Sequence, residues 1–307
     1  MQPPINRQMT PVEWTLLIAL AVLWGGSYFY IAVAVKVVPP LSLVAFRVAV
    51  GAALLYLVVR ANGLRLPTAP AVWGAFLVMG LINNVIPFSL IAWAQSHVAS
   101  GLAAILNATT PLFAVLLANV LTEDEHMTPA SVTGVVIGFA GVTIMIGPNA
   151  LEGFTVDFLA DLALLLASVF YALSPIFARR FSKAGIPPMV AATCQLTAAT
   201  VMMVPLALLF DRPWTIAMPS AGVWGALIGL AALSTTLAYI IYYRILATAG
   251  AVNLMLVTLL IPVMAILLGA AFLGERLSPN HFLGMAAIGI GLAAIDGRPW
   301  RMLRRAA

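Results

Sequence analysis

Seven polar residues break into otherwise apolar runs, where their amides and hydroxyls could bind a small solute: Asn83, Asn84, Asn107, Gln195, Ser234, Thr235 and Thr258. In hydrocarbon such a group left without a partner costs roughly 2 kcal/mol or more, so each must meet another helix, water or a ligand. Singly, each reads as interhelical glue, a hydrogen bond worth about 0.6 to 2 kcal/mol. Together they repeat. The stretch from Val72 to Ala118 matches that from Val223 to Gly269 without a gap, at an offset of 151 residues. Val72-Trp73-Gly74-Ala75 recurs as Val223-Trp224-Gly225-Ala226, Pro111 as Pro262, and Leu116-Leu117 as Leu267-Leu268. In that register Asn83-Asn84 faces Ser234-Thr235, and Asn107 faces Thr258. Polar residues that recur at matching depths predict a cavity at the interface of two repeats near mid-membrane.

Arg47 lies seven residues into the second apolar span. That puts it roughly 10 Å below the outer surface, where it either snorkels outward or serves as a gate or a carboxylate ligand. Its repeat partner, Gln195, enters from the opposite side at similar depth. Four aromatic residues, Trp24, Tyr28, Tyr171 and Tyr239, join the polar set as cavity-lining candidates, with Phe88 close by. Trp93, Tyr242 and Tyr243 lie near span ends and read as interfacial anchors or packing. Pro111 and Pro262 interrupt their helices and free carbonyls that a cavity or a neighbouring helix must satisfy, so they are candidate gating positions alongside Arg47.

Several chemistries are missing. No Gly-x-x-x-x-Gly-Lys-Ser/Thr loop exists to cradle a nucleotide, and neither His-Glu-x-x-His nor Gly-x-Ser-x-Gly occurs. His97, His126 and His281 lie near span ends, so we expect no catalytic residues, no metal ligands and no cofactor. Every acidic residue sits at a span boundary or in a loop, which removes the deep ionisable group that proton or sodium coupling usually employs. Uncoupled or exchange transport is the mechanism suggested. The single cysteine, Cys194, lies inside a span and reads as packing.

The elements that must hold these residues follow from composition. A chain of 307 residues that is 63% hydrophobic and 8% charged is an integral membrane protein, since soluble domains carry about 25% charged residues. Ten apolar runs are each long enough to span: about 13–36, 41–60, 71–94, 99–121, 129–147, 158–180, 188–210, 219–243, 250–273 and 279–296. Thr10-Pro11-Val12-Glu13 gives the first a capped start, and the run is too long for a cleaved leader. Pro39-Pro40 and Pro187-Pro188 correspond at an offset of 148 residues, and Pro129, Gly134 and Gly141 correspond to Pro279, Gly284 and Gly291 at an offset of 150. The predicted fold is therefore all-α: residues 13–147 and 158–296 form two five-helix repeats of one membrane domain around a central cavity. An odd number of spans per repeat inverts the second against the first. With a cytoplasmic N-terminus, eleven basic residues fall inside against three outside, Lys36, Arg212 and Arg276, which places both termini in the cytoplasm. The Arg298 to Arg305 cluster is explained by this orientation, with contact to acidic lipid headgroups as the alternative and no nucleic-acid role. Gly134 and Gly138, and Gly225 and Gly229, form GxxxG faces that serve internal packing or a homodimer. Monomer and homodimer both stay open. The fifth and tenth spans, almost free of polar residues, are expected to face lipid.

The chain resembles the EamA-type transporters of the drug/metabolite transporter superfamily over nearly its whole length. The matching residues are Leu23-Trp24-Gly25-Gly26-Ser27, Phe46-Arg47, Pro111 and Pro262, and Phe272-Leu273-Gly274-Glu275-Arg276-Leu277 with Gly284 and Gly291. The resemblance implies a multi-pass exporter of small metabolites, often amino acids, in the bacterial inner membrane, with a basket of helices around a central cavity and the fifth and tenth outside it. One departure is Glu123-Asp124-Glu125, which stands where the other half has the single Gly274-Glu275. Glu275 itself reads as a structural link between the last two helices. The expected function is export of a zwitterionic or neutral small molecule by alternating access, with aromatic amino acids, methionine or threonine as candidates. That choice takes the cavity to lack a central fixed charge. A multidrug exporter is the alternative, and a non-transporting membrane scaffold or enzyme is the reading from a different class.

Overall fold

The computed structural model describes residues 9–122, 127–151 and 155–296, and all the secondary structure among them is helical. Eight helices are long and apolar enough to cross a membrane: α1 (Pro11–Ala34), α2 (Pro40–Ala61), α3 (Pro70–Ala94), α4 (Ser100–Leu121), α5 (Pro129–Leu151), α6 (Val156–Lys183), α7 (Pro188–Asp211) and α8 (Ala221–Gly250). Two shorter apolar helices follow, α9 (Val257–Leu273) and α10 (Pro279–Asp296). Glu123-Asp124-Glu125, His126, Glu152 and the Arg298 to Arg305 cluster lie outside the described residues.

Local chemistry explains the starts. Thr10 caps α1 in a capping box: the Thr10 backbone N–H donates to Glu13 Oε2 at 2.8 Å, and the Glu13 backbone N–H donates to Thr10 Oγ1 at 3.3 Å. Proline opens α2, α3, α5, α7 and α10, where its missing N–H would have had no helical partner. The largest difference from the expected spans is at α8, which runs on through Arg244 to Gly250. Ile245 and Ala249 are buried there against Leu17, Leu20 and Ala21 of α1, so packing prolongs the helix. It stops at Gly250, whose φ of 79° only glycine adopts easily.

The main helix pairings are kept when the first five helices are exchanged for the last five. α1 packs on α8 and α9 as α6 packs on α3 and α4, while α3 packs on α7 as α8 packs on α2. α2 with α7, α4 with α9, and α5 with α10 pair across the halves. Glycines set the close crossings. A Cβ on Gly80 would lie 2.8 Å from the Gln195 carbonyl oxygen, and one on Gly134 would lie 2.5 Å from that of Gly291. Gly134 and Gly138 thus face α10 and Leu112 of α4, an internal use; Gly229 receives Tyr30, and Gly225 meets nothing within 4 Å.

Two carboxylates join the halves at one end of the bundle, where α1 and α3 finish. Asp211, at the end of α7, accepts the Ser42 backbone N–H at 2.6 Å in the first turn of α2. Glu275 accepts the backbone N–H groups of Ser100 and Gly101 at 2.9 and 3.3 Å and the Ser100 hydroxyl at 2.8 Å. Both satisfy helix-start donors that have no intrahelical acceptor, and both put negative charge at the positive end of the dipole. Glu275 therefore ties the α9–α10 connection to α4, which corrects the expectation that it links the last two helices to each other. The 175-residue separation between Ser100 and Glu275 hid this partner from the sequence.

Candidate functional site

The polar pairs of the repeat sit on breaks in the α-helical hydrogen-bond ladder. Within α3, Leu81–Val85 forms a π-turn that carries Asn83 and Asn84; within α8, Ala232–Leu237 forms another that carries Ser234 and Thr235. The two turns begin in equivalent positions of the repeat. A π-turn widens the helix and recurs at functional sites. In α8 the displaced carbonyls are covered locally: Thr235 Oγ1 donates to the Leu230 oxygen at 2.9 Å and Thr236 Oγ1 to the Ala231 oxygen at 3.0 Å, each five residues back.

α4 breaks as well. Its first part ends at Asn107 and its second starts at Thr110, with Pro111 in the first turn. Thr109 and Thr110 hydroxyls donate to the Leu106 and Asn107 carbonyls at 2.6 and 2.7 Å. From α6, the Ser168 hydroxyl approaches the Asn107 side-chain oxygen at 3.3 Å. The second half breaks too, four residues earlier in its register: the short helical stretch after Gly250 ends at Leu254, Met255 and Leu256 form a turn, and α9 restarts at Val257 with Pro262 buried inside it.

Arg47 is the centre of the assembled site. Its side chain is 7% exposed, and it points into the bundle instead of snorkelling outward. Its Nε–H donates to Thr235 Oγ1 at 3.0 Å, and its guanidinium carbon sits 3.7 Å from the centroid of the Phe88 ring, a cation–π contact. Tyr171 packs against Phe88 with ring centroids 6.5 Å apart. The hydroxyls of Tyr171, Tyr239 and Tyr28 lie near the guanidinium. Tyr239 receives the Gln195 Nε2 hydrogen bond at 3.4 Å and lies beside Asn83 and Asn84, and Tyr28 lies beside Asn107. Asn84 is fully buried, with neither amide atom in a hydrogen bond of good geometry. α1, α2, α3, α4, α6, α7 and α8 all contribute, whereas α5 and α10 supply none of these side chains.

Nine of the candidates therefore meet: Tyr28, Arg47, Asn83, Asn84, Asn107, Tyr171, Gln195, Thr235 and Tyr239. Three others stand apart. Ser234 donates to the Leu23 carbonyl at 2.6 Å and ties α8 to α1. Trp24 packs on Tyr242 with centroids 5.5 Å apart, in the apolar contact between α1 and α8. Thr258 donates to the Met255 carbonyl at 2.7 Å in the first turn of α9. The site does contain a fixed charge, so the expectation of a cavity without one is corrected. That expectation set Arg47 apart from the cavity, although the sequence had left a gating or carboxylate-binding role open for it. Ser168 was missed; its place three residues before Tyr171 on one helix face was the available signal. A separate apolar crevice of about 350 Å³ lies between α4, α9 and α10, lined by Gly101, Ile266, Ala270, Glu275, Arg276, Leu277 and Phe282, and touches none of these groups.

Comparison with known proteins gives relatives along the whole chain. An uncharacterized transporter, YoaV, of Bacillus subtilis (strain 168) is 24% identical over 90% of this chain and 94% of its own. The uncharacterized inner membrane transporter YedA of Escherichia coli (strain K12) is 26% identical over 92% of this chain and 89% of its own. An uncharacterized transporter of Archaeoglobus fulgidus is 25% identical over 89% and 93%. One chain of known crystal structure superposes at a TM-score of 0.65 with 24% identity, covering 93% of this chain and 96% of its own, which shows a shared fold. The model of the EamA-like transporter family matches residues 13–147 and again 158–295. With both halves of the described helical bundle matched in this way, the chain belongs to the EamA-like transporter family.

Proposed function

We propose that this protein transports small molecules across the bacterial inner membrane, and that it exports amino acids with aromatic or other apolar side chains. One observation carries the reading: a polar cluster of a cation, phenols and amides is buried where both halves of an apolar bundle meet. Family membership supports transport, and the name of YedA supports the inner membrane. The contact pattern that survives exchange of the halves supports two five-helix repeats, 13–147 and 158–296, inverted about the site and working by alternating access. In this reading α9 and α10 also span, both termini are cytoplasmic, and Pro111 and Pro262 act at the moving helices.

The site suits such a substrate. Phe88, Tyr171 and Tyr239 offer ring surface for an apolar side chain, while amides and hydroxyls offer hydrogen bonds to the amino-acid backbone. Arg47 disfavours the alternative of cationic drugs, because a second cation beside it would be repelled. Sealed liposomes loaded with labelled phenylalanine or threonine are expected to release it faster with the purified protein than without it, equally at zero and imposed potential, since a zwitterion carries no net charge. Release no faster than without the protein across a broad metabolite panel would favour a membrane scaffold.

A further inference from the structure

Arg47 holds more donors than the chain satisfies. A guanidinium has five N–H groups, and only Nε–H has an acceptor, Thr235 Oγ1 at 3.0 Å. The four N–H bonds of its terminal nitrogens have no acceptor among the described residues, though the side chain is 7% exposed. Phe88 covers one face of the guanidinium and leaves the edge with its terminal N–H bonds open to a ligand. Besides Thr235, the hydroxyls near it belong to Tyr171, Tyr239 and Tyr28, and among the described residues no Asp or Glu stands with them. A buried cation without a counter-charge is costly, and a planar fork of paired N–H bonds matches a carboxylate.

We infer that Arg47 is a carboxylate anchor and that the ligand class of this site is the small monocarboxylate with an apolar or aromatic body, amino acids being members of it. This deepens the reading above and rests on it for the size of the ligand. The cluster contains a partner for the ligand's carboxylate but no acid to pair with an ammonium; for that group it offers only amide oxygens, phenol oxygens and ring faces. The carboxylate is therefore required and the ammonium is dispensable. An amine that lacks the carboxylate is excluded by Arg47 itself.

Three probes of one shape separate the terms: phenylalanine, 3-phenylpropanoate, which lacks the ammonium, and phenethylamine, which lacks the carboxylate. Thermal unfolding of the purified wild-type protein in detergent measures binding, and competition with labelled phenylalanine efflux from liposomes measures transport. Both acids are expected to raise the midpoint and compete, and the amine to do neither. In R47Q the affinity for both acids should fall roughly ten- to hundredfold, the loss of a charged hydrogen-bonded contact, with R47K retaining part of it. Stabilisation by the amine equal to that by the acids, no stabilisation by either acid, or undiminished acid binding in R47Q would overturn the assignment. The wild-type comparison holds even where a variant fails to fold. Acid binding without any flux would instead overturn the transport reading and leave the anchor standing, and competition by the amine equal to that by the acids would do the reverse.

Discussion

Thr235 holds two jobs at once, accepting from Arg47 Nε and donating to the Leu230 carbonyl inside the π-turn. Thr235→Val keeps the shape and deletes the hydroxyl, leaving a buried donor and a buried acceptor unpaired. The expected cost is about 1–3 kcal/mol of stability, read by thermal unfolding, with phenylalanine efflux reduced roughly tenfold as Arg47 loses its fixed orientation. Ser234→Ala tests the contrast. Its hydroxyl serves only the Leu23 carbonyl, so the variant should lose stability while keeping its substrate preference. At this scale the sequence showed which residue types mattered and much less about where they point. Asn83, Asn84, Asn107, Gln195 and Thr235 were visible as polar groups in apolar runs. The inward path of Arg47 depends on contacts with α3 and α8, and the local run Ala45-Phe46-Arg47-Val48 cannot encode it.

At the scale of elements, hydropathy revealed the helices and proline revealed most of their starts. The π-turns were not legible, because no residue type demands a bond to the fifth residue back. The Thr235 and Thr236 hydroxyls make sense of theirs only once the turn is seen. Glycine contacts were legible as small residues without partners. A methyl on Gly80 would strike the backbone of α7 at the Gln195 oxygen and, 3.0 Å away, the Ala199 nitrogen. Gly80→Ala should therefore cost about 1–3 kcal/mol, read by thermal unfolding, and shift Gln195 away from Tyr239. The carboxylate ties are a second element-level device. Glu275→Gln keeps the shape but removes the charge at the start of α4, and we predict a loss of about 0.5–2 kcal/mol. If Asp211 and Glu275 hold one end of the bundle shut, the double variant Asp211→Asn, Glu275→Gln should also speed thiol labelling of a cysteine placed at Ser42. Unchanged labelling would leave the two carboxylates as helix caps alone.

The molecule as a whole is organised by exchange of its halves. α2 meets α7, α4 meets α9, and the site lies where the π-turns of α3 and α8 face α2, α6 and α7. α5 and α10 pack on each other and give no side chain to the site, in line with helices set outside the moving core. The proposed inverted arrangement with cytoplasmic termini predicts that a cysteine at Glu152 is labelled from outside intact cells and one at Arg65 only after permeabilisation. The reverse pattern would turn the protein over. Global features were the most legible from the sequence because repetition and apolar length are written along the chain, whereas the link between Ser100 and Glu275 is a property of the folded bundle. In the proposed function, substrate binds against Arg47 between the halves. A structure determined with phenylalanine bound tests that claim most directly. The ligand carboxylate is expected on the Arg47 terminal nitrogens with its ring near Phe88, Tyr171 or Tyr239; phenylalanine seated instead in the crevice beside Phe282, with Arg47 untouched, would contradict it.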